Sequence, residues 1–156
     1  MMRRLVLIAA LLLPLAAAAQ SPKSKEVDIA ADRMEILSTE HRAIFTGKVD
    51  VKRQDVNLTC ERLVAIYAEE KQADGTTKNK VTQLEAEGSV TIVTRNQTIT
   101  GDWAKMDVKA DKLVVGGKVK VVQGDTVLEG ELLNVDLNTD RSDMTGGRVK
   151  GSVVPQ

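Results

Sequence analysis

The chain has 156 residues with 22 basic and 22 acidic side chains, one histidine and one cysteine. That length suits one domain, and the even charge leaves no basic footprint for nucleic acid. An aromatic content of 2% leaves too few stacking platforms for single strands or sugars, and a lone cysteine excludes an internal disulfide.

The first segment reads as a secretion signal. Arg3 and Arg4 give a positive start, the run from Leu5 to Leu15 is apolar, and Ala17-Ala18-Ala19 supplies a small-residue cleavage site. Residues 1–19 are expected to be removed before Gln20. The apolar run is short for a bilayer span, which needs about 20 residues; a retained anchor is the alternative. No cysteine follows it, so a lipoprotein signal is excluded. Without Arg3 and Arg4, 20 basic face 22 acidic residues. Residues 20–26 form a polar, flexible leader, and residues 27–154 the domain.

Strand signals begin at Val27 and Ile29. The segment from Ala30 to Glu35 has helix-forming composition, yet the repeat described next aligns it with strands. Ser38 to Arg42 is a polar turn holding His41, a surface residue rather than a catalyst. Then a phrase recurs: Gly47-Lys48-Val49-Asp50-Val51, Gly88-Ser89-Val90-Thr91-Ile92 and Gly117-Lys118-Val119-Lys120-Val121. Thirteen residues after each glycine comes a small residue followed by an acid: Cys60-Glu61, Gly101-Asp102 and Gly130-Glu131. Ala31-Asp32 opens the series and Gly146 closes it. The unit is about 29 residues, two strands and two turns. Such a period means stacked copies of one supersecondary unit that cannot bury its apolar face alone.

The superposed units share apolar columns: Val49, Val90 and Val119; Val51, Ile92 and Val121; Leu58, Ile99 and Leu128. After each small–acid step the apolar parity shifts. An extra residue at a small position redirects a strand, so the long strands are expected to bend at 60–61, 101–102 and 130–131. Residues 69–80 interrupt the period. Their charge, and the turn signal Asp74-Gly75, read as an extended, solvated hairpin or loop. The sequons at Asn57 and Asn96 fall in expected strands and read as chance. Val149 to Val154 reads as a last, unpaired strand. No proline lies between Pro22 and Pro155, so nothing forces a strand edge within the body.

Candidate chemistry is sparse. Asp32, Glu61, Asp102 and Glu131 share one repeat position. They are either a calcium ladder, as in some β-solenoids, or corner carboxylates that accept backbone N–H groups. One acid per unit favours the corner. One histidine and one cysteine are thin for zinc, so no metal is expected. Cys60 stands in a slot that elsewhere holds glycine or alanine and reads as a small buried residue. No nucleophile elbow, triad or phosphate loop is present, so neither an enzyme nor a cofactor is expected. The scarcity of aromatic core fillers leaves room for an apolar slot between sheets. Each acyl methylene buried there would contribute about 0.8 kcal/mol.

The phrases Ile29-Ala30-Ala31-Asp32, Phe45 to Val51, Ala86-Glu87-Gly88-Ser89-Val90 and Gly130 to Leu137 resemble the OstA-like family, in particular its soluble periplasmic branch. The likeness runs from about Val27 to Val154. It implies an all-β fold: an elongated, twisted, slightly open antiparallel β-jelly roll built from repeated hairpins. It implies a periplasmic scaffold that holds the lipid A acyl chains of lipopolysaccharide in an apolar groove. That scaffold would relay lipid from an inner-membrane-anchored transport protein at one sheet edge to the outer-membrane translocon at the other, with head-to-tail self-association. Open edges template further strands. Within the columns, Ile36, Phe45, Val49, Val51, Leu58, Val90, Ile92 and Ile99 are the candidates for the groove lining. Lys48, Arg53, Lys118 and Lys120 are the candidates for phosphate contacts at its mouth. The alternatives are a solid-core adaptor linking membrane complexes, or a membrane-anchored sibling in the same transport system.

Overall fold

The computed structural model describes residues 26–153. The expected signal peptide, the leader up to residue 25 and Val154 lie outside the described residues. Ten antiparallel strands form one open sheet. They are β1 (Asp28–Ala30), β2 (Arg33–Leu37), β3 (Arg42–Arg53), β4 (Val56–Lys71), β5 (Thr77–Val93), β6 (Thr98–Asp107), β7 (Lys112–Gln123), β8 (Thr126–Asp136), β9 (Arg141–Thr145) and β10 (Lys150–Ser152). β3 to β8 pair in sequence order as a meander. β1 and β2 share the outer side of β3, and β10 and β9 share that of β8.

The bends fall at the small–acid steps. Register slips between Thr46 and Val49, between Glu87 and Val90, and between Gly116 and Val119. At each slip a pair of residues (Gly47-Lys48, Gly88-Ser89, Gly117-Lys118) opposes one acid, Glu61, Asp102 or Glu131. This is a bulge, and it turns the strand. The repeat glycines there have φ of 80°, 82° and 92°, a region that side chains disfavour. Every long strand therefore crosses from one layer to another. One layer holds β2, β9 and the strand halves on their side of the bends; the other holds β1, β10 and the remaining halves.

The buried residues of both layers form one apolar cluster. Full burial of a Val, Leu or Ile side chain contributes about 1.5–3 kcal/mol, so these rows carry the stability of the sheet. The interruption at 69–80 is the expected hairpin. β4 and β5 pair out to Lys71 and Thr77, and the Asp74 carboxylate accepts from the Thr76 amide at 3.0 Å and its hydroxyl at 2.6 Å. Those bonds hold the Asp74 carboxyl below the usual carboxylate range.

Ala30 to Glu35 is strand broken by a bend, as the columns required. Ser38–Glu40 is a single 3-10 turn closed by His41 at φ 52°. Two expectations change. The terminal strand, at Lys150–Ser152, is paired: it covers Val127–Glu129 of β8, whose backbone would otherwise stand open. Asn96 sits in the β5–β6 turn, where the Thr94 amide donates to the Gln97 carbonyl at 2.9 Å; only Asn57 lies in a strand.

Candidate functional site: an apolar trough between two layers

Cross-strand register lines up apolar side chains in rows. In one layer Ile29 faces Val51, Val51 faces Leu58, Leu58 faces Ile92, Ile92 faces Ile99, Ile99 faces Val121 and Val121 faces Leu128. The row passes unbroken from the first strand to the eighth. In the other layer Met34, Phe45, Leu63, Ala86, Ala104, Val115, Leu133 and Met144 form a matching row. Alternation puts all of them on the facing sides of the bent sheet.

The eight lining candidates divide. Val49, Val51, Leu58, Val90, Ile92 and Ile99 are buried in the core, and Phe45 joins them at 9% exposure. Ile36, on the edge strand β2, is 56% exposed, as is Met34 beside it. At the opposite edge Val149 and Val153 are exposed. Apolar residues therefore stand open at both ends of the sheet.

The middle of the trough is packed, with Leu63, Leu84, Ile92, Ile99 and Leu113 fully buried. Towards β8 the layers part around a cavity of about 280 Å³. Its walls are Val121, Leu128, Leu133, Val135 and Met144, and its rim carries Thr94, Asn96, Gln97, Asp140 and Ser142. That volume sits at the low end of small-molecule pockets. A lipid with several acyl chains fits only if the layers move apart.

The basic candidates do not gather at one mouth. Lys120 pairs with Thr100 and Glu129 between inward Val119 and Val121, which places it on the outer face. Lys48 and Lys118 are exposed at the bulges, on the bend rather than at the open rim. Arg53 is 5% exposed. Its Nη1 meets Asp111 Oδ1 at 2.5 Å and its Nη2 donates to the Val108 carbonyl at 3.0 Å.

The four repeat acids behave as corner groups. A Cβ on Gly47 would lie 2.7 Å from Asp32 Oδ2, one on Gly88 would lie 2.5 Å from Glu61 Oε2, and one on Gly147 would lie 2.7 Å from Glu131 Oε1. Each acid thus covers a glycine of a following strand or, at Gly147, of the bend between β9 and β10. The Lys118 amide donates to Asp102 Oδ2 at 3.4 Å. Glu61, Asp102 and Glu131 lie on every second strand, about 10 Å apart by strand spacing, too far to share an ion. Among the described residues no three His, Cys, Asp or Glu side chains come together as a metal site. Cys60 is buried, and that burial pushes its thiol up to about 11.

Two features escaped the sequence reading. Of the second wall the eight candidates include only Ile36 and Phe45; Leu84, Met106, Leu113, Leu133 and Val135 also build it, and the alternation of Leu113 and Val115 in the sequence is the signal that marks them. The pairing of Arg53 with Asp111 had no local signal, because the partners come from opposite layers.

The family model for LptA/(LptD N-terminal domain) LPS transport proteins matches residues 28–141. An uncharacterized protein of Rhizobium meliloti (strain 1021) is 27% identical over 140 residues, covering 88% of this chain and 75% of that protein. The crystal structure of LptH, the LptA-homologous periplasmic component of the lipopolysaccharide transport device of Pseudomonas aeruginosa, has a similar fold. It superposes with a TM-score of 0.71 at 16% identity, covering 86% of this chain and all of LptH.

Proposed function

Because the chain belongs to the LptA/(LptD N-terminal domain) family of lipopolysaccharide transport proteins, we propose that it carries the acyl chains of lipopolysaccharide in the trough between its layers. The family is one of transport, not of catalysis. One observation carries the reading. The apolar row from Ile29 to Leu128 runs without a polar break, while apolar side chains stand exposed at both ends of the sheet. A row of this kind gives an acyl chain the same environment at each step, so transfer along it is not held up by a deep well. Driving energy comes from elsewhere, since the sequence has no phosphate loop.

The edges extend the reading. Among the described residues, β1 and β2 form one edge of the sheet with no further strand beyond them, and β9 and β10 form the other. Such an edge accepts another strand. Modules stacked head to tail would join their troughs end to end, one terminus meeting the inner-membrane partner and the other the outer-membrane translocon. The periplasm is the compartment of the similar protein LptH, and the N-terminal signal points the same way.

The test is photo-crosslinking. A photoreactive residue at Leu128, Met144 or Ile36 should yield lipopolysaccharide adducts, whereas one at Lys120 on the outer face should not. If the interior positions give no adduct and the protein is folded, the molecule is a solid-core adaptor.

A further inference from the structure

We propose that Arg53 and Asp111 form a latch across the open rim of the trough, which releases to admit cargo to its middle; the gating role rests on the carrier reading above. Arg53 ends β3 in one layer, and Asp111 lies in the turn between β6 and β7 in the other. No strand pairing joins β3 to β6 or β7. The guanidinium grips that turn twice, at the Asp111 carboxylate (2.5 Å) and at the Val108 carbonyl (3.0 Å). Charge-assisted bonds of this kind fix geometry closely.

Among the described residues Arg53 is the buried charged residue of the core, and its buried Nε has no hydrogen-bond partner among them. Two well-packed apolar side chains in place of both partners would hold the layers at least as well, because buried ion pairs carry a desolvation cost, whereas removing one partner alone weakens the contact. What the ion pair adds is a joint with two defined states, gripped or released.

Its position gives the latch a role. A recess of about 160 Å³ reaches Arg53 and Asp111 from solvent. It shares Thr94, Asn96, Leu137 and Asp140 with the cavity near β8, at that cavity's polar rim. The pair therefore stands where that cavity would continue into the half of the trough built by β3 to β5. With the latch closed that half is packed; with it released the two halves join.

The experiment places spin labels on Lys52→Cys and Lys109→Cys in a Cys60→Ala background, one label on each rim, and reads their distance distribution. Uptake of fluorophore-bearing lipopolysaccharide is timed in the same proteins. Arg53→Met and Asp111→Asn should each lengthen and broaden the distribution and give severalfold faster uptake. Arg53→Lys, which keeps the charge but loses the double grip, repeats the test if Arg53→Met does not fold. Folded variants with an unchanged distribution overturn the latch. A widened rim with unchanged uptake overturns its gating role. A widened rim in proteins that all fail to take up lipopolysaccharide, the parent included, overturns the carrier reading and its gate while the latch itself stands.

Discussion

Asp102 covers Gly117: the carboxylate of one strand occupies the place where a side chain on the next would stand. Gly117 has φ of 92°, and the neighbouring Lys118 amide donates to the same carboxylate. Bulge, glycine and acid thus form one corner, and the sheet repeats it at every second strand.

Gly117→Ala should therefore destabilise the fold by roughly 1–3 kcal/mol from backbone strain alone, and by more once the Asp102 carboxylate is displaced. Gly75→Ala is the control. Its φ is 86°, but nothing lies within 4 Å of a Cβ there, so only the strain remains. Urea unfolding of both variants measures the difference, and equal losses would contradict the corner.

Ile92→Ala removes a fully buried side chain at the centre of the continuous row. A loss of about 2–5 kcal/mol is expected, read from urea or thermal unfolding. Val93→Ala, on the opposite face and 43% exposed, should stay within about 0.5 kcal/mol.

Removal of Asp111 and removal of Arg53 should not cost the same. Asp111→Asn leaves a guanidinium buried at 5% exposure facing a neutral amide, and breaking a buried pair in this way costs about 3–5 kcal/mol. Arg53→Met leaves the more exposed carboxylate, 13% accessible, which rotates towards water and loses less. Unfolding of the single and double variants tests the order.

The Cys60 thiol, pushed up to about 11 by burial, should resist alkylation at pH 8 in the native protein and react at once in urea. The linkage has a definite sign. The unfolded thiol ionises at its ordinary value of 9.0 and the folded one later, so the unfolded state loses its proton first. The stabilisation is complete below about pH 9 and declines as pH rises through about 11. Cys60→Ala removes that decline; a curve of stability against pH that is identical in both proteins would refute the assignment.

Met34→Glu places a charge on an apolar side chain that is 56% exposed at the β2 edge. The monomer should lose little stability, within about 0.5 kcal/mol for an exposed site. Head-to-tail association should fall markedly, read by sedimentation as a shift towards monomer. Unchanged association would remove this edge from the stacking scheme.

The local chemistry of the chain determined the units and their corners. A glycine that adopts positive φ, a small residue and an acid recur at fixed spacing, and alternation of period two marks the inward positions; both are properties of neighbouring residues. Strands, bends, the hairpin at 69–80 and most of the buried columns followed from them. Tertiary structure alone decided which wall faces which, how far the trough is filled, and that Arg53, on the inward parity of Val49 and Val51, meets Asp111 from the other layer. Those outcomes depend on residues distant in the chain, and on how two bent layers divide a shared interior. The terminal strand is the same lesson in small: Val149 to Val154 reads as a strand from its valines, but only the open backbone of β8 provides a partner, at Lys150–Ser152.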